Sequence, residues 1–309
     1  MRRYLLATPE MMFAFIHEHR LVWRLSVMAR VLGVTRQGYH KWAVRQPSKR
    51  ELRHRDLRLR IRTIYEESKG SYGSPRITSE LIEEHGIVVT KKTIEHLMRQ
   101  EGLSVKPKSR FRPTTDSSKT LAPAPNRLDR IYLTDVVNRV WLSDFTEVIC
   151  REGKVYVVAI IDMASRRVIG MNVHHRMHTE SLMIALHRAC KTRQTFPKLE
   201  GQRQIIFHSD RGSQYNSETF RKALLRHDIV QSMSGVGNCY DNAPMESLWA
   251  RMKTELAFNM PFRDPDEAIH RINQYIHVLY NRKRRHSGIG NISPVEFEGR
   301  YIRSIRHSS

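Results

Sequence analysis

Val155-Tyr156-Val157-Val158-Ala159-Ile160-Ile161 is the longest strongly apolar run of the chain. Its residues suit a buried strand, and it falls far short of the ~20 residues a membrane helix needs. Working outward, Gly153 supplies a turn before it, Val140 to Ile149 reads as the preceding strand, and Val168 to Val173 supplies a third. Thr179 then caps a helix to about Cys190, and Gln204 to His208 reads as a short strand. A helix from about Ser217 to Arg226 and a brief Ile229 to Ser232 strand follow. A helix around Glu246 and another from about Pro265 to Tyr280 close the region. Three consecutive strands followed by alternating helices and short strands imply an α/β domain, a central mixed sheet with helices on its faces.

Three carboxylates sit in contexts that make sense together. Asp144 lies in Trp141-Leu142-Ser143-Asp144-Phe145-Thr146, inside the first strand. Asp210 lies in His208-Ser209-Asp210-Arg211-Gly212-Ser213-Gln214-Tyr215, just past the fourth. Glu246 lies in Asp241-Asn242-Ala243-Pro244-Met245-Glu246-Ser247, where Asp241 or Asn242 can cap a helix and Pro244 suits its first turn. Asp144 and Asp210 lie side by side if their strands are neighbours, with Glu246 reaching in from a helix packed across them. Leu248, Met252 and Leu256 form that helix's buried stripe. Lys253, seven residues after Glu246, shares the carboxylate's stripe about 10 Å along the axis, where a phosphate backbone would pass.

Such a set fits metal-dependent phosphodiester chemistry. Two divalent ions about 3.5–4 Å apart stabilise the attacking and leaving oxygens together. Mg²⁺ (or Mn²⁺) takes hard oxygen ligands and keeps several waters, so carboxylates from different elements suffice. Asp144 is expected to bridge two ions, with Asp210 and Glu246 each completing one. Isolated acidic residues would be weak evidence, since most are solvated; the shared contexts carry the reading.

The chain has 309 residues and a formal net charge of +22, a field that attracts polyanions and makes DNA the expected partner. The basic residues are spread over the whole length without a long apolar run, so no membrane association is expected. Thr8 and Pro9 interrupt any signal-peptide core behind Arg2 and Arg3. Cys150, Cys190 and Cys239 are few and widely spaced, which suggests a reducing, cytoplasmic setting and no zinc cluster.

Residues 1–50 read as a helix-turn-helix-like unit. Val27, Met28, Val31 and Leu32 recur at helical spacing, Gly33 turns, and Thr35 caps a helix to about Trp42. Arg36, Gln37, His40 and Lys41 then face outward for the major groove. Residues 51–105 read as a second such unit. It holds a charged helix over 51–65 with Leu52, Leu57, Leu59 and Ile61 as its apolar residues. Ser74 then caps a helix carrying Ile77, Leu81 and Ile82 inward, and Thr90 caps another to Gln100 that presents Lys91, Lys92 and Arg99. Residues 106–130 form a Pro/Ser/Thr-rich linker, 131–300 the core and 301–309 a basic tail. In both helical units plain packing is the competing explanation.

Several residues invite over-reading. Asp162 is better placed to cap the Ser165-Arg166-Arg167 turn than to bind metal. His174, His175 and His178 lack the partners of a zinc site. His208 is open to orienting water or phosphate. Arg282, Lys283 and Arg285, within the Arg282 to Arg285 run, are expected to contact phosphate.

These motifs, with Lys253-Thr254-Glu255, the segment Tyr72-Gly73-Ser74-Pro75-Arg76-Ile77, the run Tyr280-Asn281-Arg282-Lys283-Arg284-Arg285-His286 and Ser293-Pro294-Val295-Glu296-Phe297, resemble one family over nearly the whole chain. It is the transposases of bacterial insertion sequences, insertion-sequence-three family, second-reading-frame type, with a retroviral-integrase-like core. The resemblance implies a ribonuclease-H-like fold and an acidic DDE triad at Asp144, Asp210 and Glu246. It further implies 3′-end cleavage at the terminal inverted repeats of the element and strand transfer to target DNA. A nucleoid-associated homo-oligomer on DNA is expected, with fusion to or association with an upstream reading-frame product. The zinc-binding domain of retroviral integrases has no counterpart here. Two alternatives stay open at this point: a nuclease of the same fold that cuts without joining, and a DNA-binding regulator that has lost its chemistry. A glycosidase leaves the basic charge and Lys253 without a role.

Overall fold

The computed structural model describes residues 8–105, 123–128, 135–194, 204–235, 242–256 and 262–307. The bulk of the expected 106–130 linker, Cys239, Asp241 and the last two residues of the expected tail lie outside them. Residues 1–60 and 61–309 form two compact units.

In the first unit, Thr8 caps α1 (Pro9–His19) by accepting a bond from the Met11 amide. The helix α2 (Leu25–Leu32) ends at Gly33, whose φ of 71° lets the chain turn at once toward α3 (Arg36–Ala43). Thr35 Oγ1 caps α3, accepting from Gly38 N at 3.0 Å. Ile16, Met28 and Tyr39 form the small core, with Phe13 and Trp42 packed against it. Met28 and Ala29 take the inner face of α2, leaving the expected apolar residues Val27 and Val31 exposed.

The helix α4 (Lys49–Glu67) begins in this unit and ends in the second. Only Leu57 and Ile61 of its four apolar residues named above are buried. Residues 61–105 cluster with the second unit. There α5 (Ser74–Glu83) is entered through Gly73, with Pro75 in its first turn, and α6 (Lys91–Gln100) is capped by Thr90. Ile77, Leu81, Ile94 and Leu97 are buried between them, whereas Ile82 is exposed.

The sheet follows the expected order of strands: β1 (Val140–Cys150), β2 (Gly153–Asp162), β3 (Val168–His174), β4 (Ile205–Ser209) and β5 (Ile229–Met233). Spatially they run β3-β2-β1-β4-β5. The first three pair antiparallel and the last three pair parallel. This is the ribonuclease-H-like mixed sheet. Side chains alternate along β2: Val155, Val157, Ala159 and Ile161 enter one core with α9 (Ala243–Leu256) and α10 (Pro265–Gln274). Val158 and Ile160 enter the other, with α7 (Thr179–Gln194) and α8 (Glu218–Arg226). Burial on both faces is why the strand is an unbroken apolar run. Close approach fixes Gly170 on β3, because a Cβ there would lie 2.1 Å from the Ala185 carbonyl of α7.

The Asp162 turn works as expected and is also part of a larger tie. Its Oδ1 accepts from Ser165 N and Oγ, and its Oδ2 from Asn138 N, while Arg193 lies 3.2 Å away. Arg193 and Arg167 both reach Glu298 on α11 (Pro294–His307), each at 2.6 Å. The expected tail is thus, through His307, the end of this helix. No described helix is long and apolar enough to cross a membrane.

After α10 the chain continues as a π-helical segment, Tyr275–Lys283, and here the basic run departs from expectation. Arg282 and Lys283 are exposed, but Arg284 and Arg285 are buried. Arg284 donates through Nε and Nη2 to Glu255. Arg285 reaches Glu80, Glu83 and Glu84 on and just after α5, at 3.3, 2.6 and 3.0 Å. The Tyr72 hydroxyl accepts from the Arg285 amide and donates to the Lys283 carbonyl. A guanidinium saturated by three carboxylates is committed to packing, so Arg285 is withdrawn as a phosphate contact. Arg285→Ala should lower the stability of the full-length chain by about 1–3 kcal/mol, less than a fully buried pair because its partners are partly solvated. Denaturant melts check this; unchanged stability with uniformly weakened DNA binding would restore the phosphate role.

Candidate active site

Parallel pairing of β1 with β4 sets Leu142 opposite His208, so each strand carries its acidic residue two positions further along the same edge. Asp144 is still within β1, and Asp210 follows directly on the end of β4. Asp144 Oδ1 accepts from Phe145 N at 2.8 Å and its Oδ2 from the Trp249 indole at 3.0 Å. Burial and then the neighbouring Asp210 push its carboxyl up to about 7, with Glu246 adding to the rise. Burial also raises Asp210, against a 3.0 Å bond from Gly212 N. A Cβ on Gly212 would stand 3.0 Å from Asp210 Oδ1, so a larger residue there would crowd the carboxylate.

Glu246 lies in the first turn of α9, which packs across β1. Met245, Leu248, Trp249, Met252 and Leu256 are buried, which leaves Glu246 and Lys253 on the face toward the acidic cluster. Lys253 is near enough to the cluster to interact electrostatically with Asp144. Its ammonium is half-buried, and the desolvation that lowers its pKa is opposed by Glu147 and Asp144. Asn242 does not cap α9 with its amide group; Nδ2 donates to the Ser143 carbonyl at 3.4 Å and so ties the helix start to β1.

Below the carboxylates, Tyr215 donates its hydroxyl proton to Ser143 Oγ at 2.9 Å, and Ser143 donates on to the Ala159 carbonyl at 3.0 Å. Burial, Asp144 and Asp210 hold the Tyr215 phenol well above its usual range. His208 is corrected from a water- or phosphate-orienting residue. It is fully buried, with Nδ1 bonded to Ser232 Oγ and Nε2 to Ser234 Oγ, so it clamps β4 to β5. His174 Nδ1 is occupied by the Arg176 amide, and its ring stands 5.8 and 5.6 Å from those of His175 and His178.

Sequence reasoning missed Trp249, Tyr215 and Gly212. The available signals were helical phase for Trp249, three residues past Glu246, and an Asp-x-Gly turn for Gly212. Of the other expected DNA contacts, Arg36, Gln37, His40 and Lys41 are exposed along α3, and Lys91 and Lys92 are exposed at the start of α6.

The donor set suits a divalent cation. Asp144 and Asp210 offer hard oxygens, repel one another, and receive bonds from amides and an indole. The three carboxylates nevertheless do not close into a formed cage among the described residues.

Residues 135–239 and 227–294 match family descriptions of the integrase core domain, and residues 51–111 match an HTH-like domain. The chain is 38% identical over 277 residues to the insertion element IS600 uncharacterized 31 kDa protein of Shigella sonnei, covering 89% of this chain and 98% of that one. It is 33% identical over 294 residues to transposase InsF for insertion sequence IS3A of Escherichia coli (strain K12), covering 94% and 100%. The HTLV-2 integrase catalytic core domain in complex with magnesium is 14% identical, with a TM-score of 0.37 over 52% of this chain and 95% of that chain. That likeness is slight, and the assignment does not rest on it. On its whole-length relatives, the chain belongs to the insertion-sequence-three family of transposases with an integrase core.

Proposed function

We propose that the chain cleaves the ends of its insertion element and joins the freed 3′ strand to target DNA, with Asp144, Asp210 and Glu246 as the ligands of Mg²⁺ or Mn²⁺. The observation that carries the reading is the mutual repulsion of Asp144 and Asp210 on adjacent parallel strands, with Glu246 acting on the same Asp144. A pair so placed is relieved by a bound divalent cation. When bound, two such ions neutralise charge on the attacking and leaving oxygens.

The rest of the site orients and excludes. Trp249 and the Phe145 amide hold the Asp144 carboxylate in one rotamer, and the Gly212 amide does the same for Asp210. Lys253 supplies positive charge beside Asp144 for a phosphate of the element end. In cleavage, water adds to phosphorus as the bond to the element's 3′ oxygen breaks. In joining, that 3′ oxygen forms a new bond to a target phosphorus as one target P–O bond breaks, so bond number is conserved. The exposed faces of α3 and α6 are the DNA-reading surfaces, with Arg282 and Lys283 as backbone contacts. A homo-oligomer on paired ends, with the upstream product attached or associated, would bring two ends to one target.

Asp144→Asn, Asp210→Asn and Glu246→Gln should each abolish Mg²⁺-dependent cleavage of a labelled element end while retaining DNA binding. Trp249→Phe, which removes only an outer bond to a ligand, should cost roughly 10–100-fold. Chelation by EDTA should stop the wild type and excess Mg²⁺ restore it. Turnover by a triad variant would remove that residue from the site; efficient cutting with no joined product at any condition would favour a nuclease.

Arg36→Ala with Gln37→Ala should erase preference for terminal over random DNA while leaving cleavage of pre-bound ends intact. Competition binding at several salt concentrations checks it, and retained preference would make α3 a packing helix only.

Lys253→Ala should weaken engagement of all DNA sequences alike and lower the salt slope by about one unit, with metal dependence unchanged. Loss confined to the native terminus would instead indicate a base contact, and wild-type binding and joining would leave Lys253 without a role.

A further inference from the structure

The face of α9 turned away from Glu246 borders a cavity of about 540 Å³. Ser247 and Arg251 line it, lying roughly 100–140° around the helix from Glu246, so the cavity is separate from the carboxylate cluster. Three guanidiniums converge there: Arg76 from α5, Arg166 from the β2–β3 turn and Arg251 from α9. Burial depresses the pKa of all three, that of Arg76 to about 10, and Arg284 opposes the charge of Arg76 and Arg251. Glu255 is a carboxylate that acts on both Arg76 and Arg251, and it is already bonded to Arg284 and the Tyr275 hydroxyl. Arg166 also holds φ at 62°, a conformation a glycine or asparagine would adopt with less strain, yet the position carries a guanidinium.

A second observation specifies more than an anion. His286 lines the same cavity with 8% of its surface exposed, and its Nε2 has no hydrogen-bond partner. The Tyr280 backbone carbonyl takes a bond from the ring, which must come from Nδ1 because Nε2 is unpartnered. Burial and the surrounding arginines keep this imidazole neutral, its pKa near 2. Nε2 is therefore an unpaired and occluded lone-pair acceptor beside a cluster of cations. The ligand that satisfies the site must carry an anionic group for the arginines and an N–H or O–H for His286. Met163, Leu248 and Tyr280 add apolar wall, and exposed Ser287 and Gly288 form the rim.

We propose that this cavity binds one deoxynucleotide unit, its phosphate against Arg76, Arg166 and Arg251 and a sugar or base donor on His286 Nε2. The volume falls within the ~300–1,000 Å³ of small-ligand sites, larger than a phosphate ion alone requires. The unit comes either from an unstacked position in a bound DNA strand or from a free nucleotide. The assignment does not use the metal-site carboxylates, so the two readings fail independently.

Calorimetric titration of the full-length chain with the four deoxynucleoside monophosphates, the matching deoxynucleosides and inorganic phosphate tests it. At least one monophosphate should bind about tenfold or more tightly than its nucleoside and than phosphate. Arg251→Gln should weaken that binding about tenfold, the loss of one charged hydrogen-bond donor. Ser247→Glu should do the same by placing a carboxylate among the arginines, just past the first turn of α9. Thermal melts confirm that both variants fold, and Asp144→Asn should retain binding. In a second arm, 2-aminopurine is walked along a DNA end. A fluorescence rise at one position with wild type, lost in Ser247→Glu, assigns the unit to the strand; monophosphate binding with no rise at any position assigns it to free nucleotide. Equal affinity for monophosphate and inorganic phosphate, or wild-type binding by both folded variants, overturns the proposal.

Discussion

Asp144 and Asp210 are pressed together because β1 and β4 run parallel as neighbours, and that enforced repulsion shapes the rest of the catalytic region. Two carboxylates in partly dry surroundings disfavour the compact state until something cationic joins them. The sheet supports this by being covered on both faces, with α9 and α10 on one side and α7 and α8 on the other. The alternating side chains of β2, the close seat of α7 on Gly170 and the His208 clamp between β4 and β5 all hold strands whose acidic edge would otherwise spread. Rigidity here comes from apolar packing and short polar ties.

The chain's positive charge divides into two kinds that composition cannot separate. Arg193, Arg284 and Arg285 are buried against Glu298, Glu255 and the α5 carboxylates, where they join distant segments. Arg36, Lys41, Lys91 and Arg282 are exposed and available to a polyanion. The buried arginines are matched by at least as many carboxylates, so the formal surplus of +22 is carried by the other basic residues.

What was readable in advance follows from the range of the interactions involved. The β1–β3 run, the Thr35 and Thr90 caps, the Gly33 turn and the α9 stripe depend on neighbours a few residues away, and the structure has them where periodicity and capping place them. The alignment of Asp144 with Asp210 needed only one assumption, adjacency of two strands. The fate of Arg284 and Arg285 depended on partners as remote as Glu255, Tyr72 and Glu83, so half of a run that looks like a solvated basic face proved to be interior. His208 was opaque for the same reason, its two serines lying on the following strand and just past it. The indole of Trp249 could have been found from helical phase alone, had the carboxylate's need for an orienting donor been considered.

The Tyr72 hydroxyl and the Arg285 guanidinium pin the helical pair of α5 and α6 to the end of the π-helical segment. Mobile elements diversify by exchanging segments, and this junction limits which exchanges yield a working mosaic. A crossover between residues 84 and 285 unites an acidic α5 from one parent with a tail from another. It leaves either three carboxylates facing nothing or an arginine facing an apolar surface. Helical pairs and tails should therefore be inherited as matched sets, even though the rest of the protein separates them in the chain.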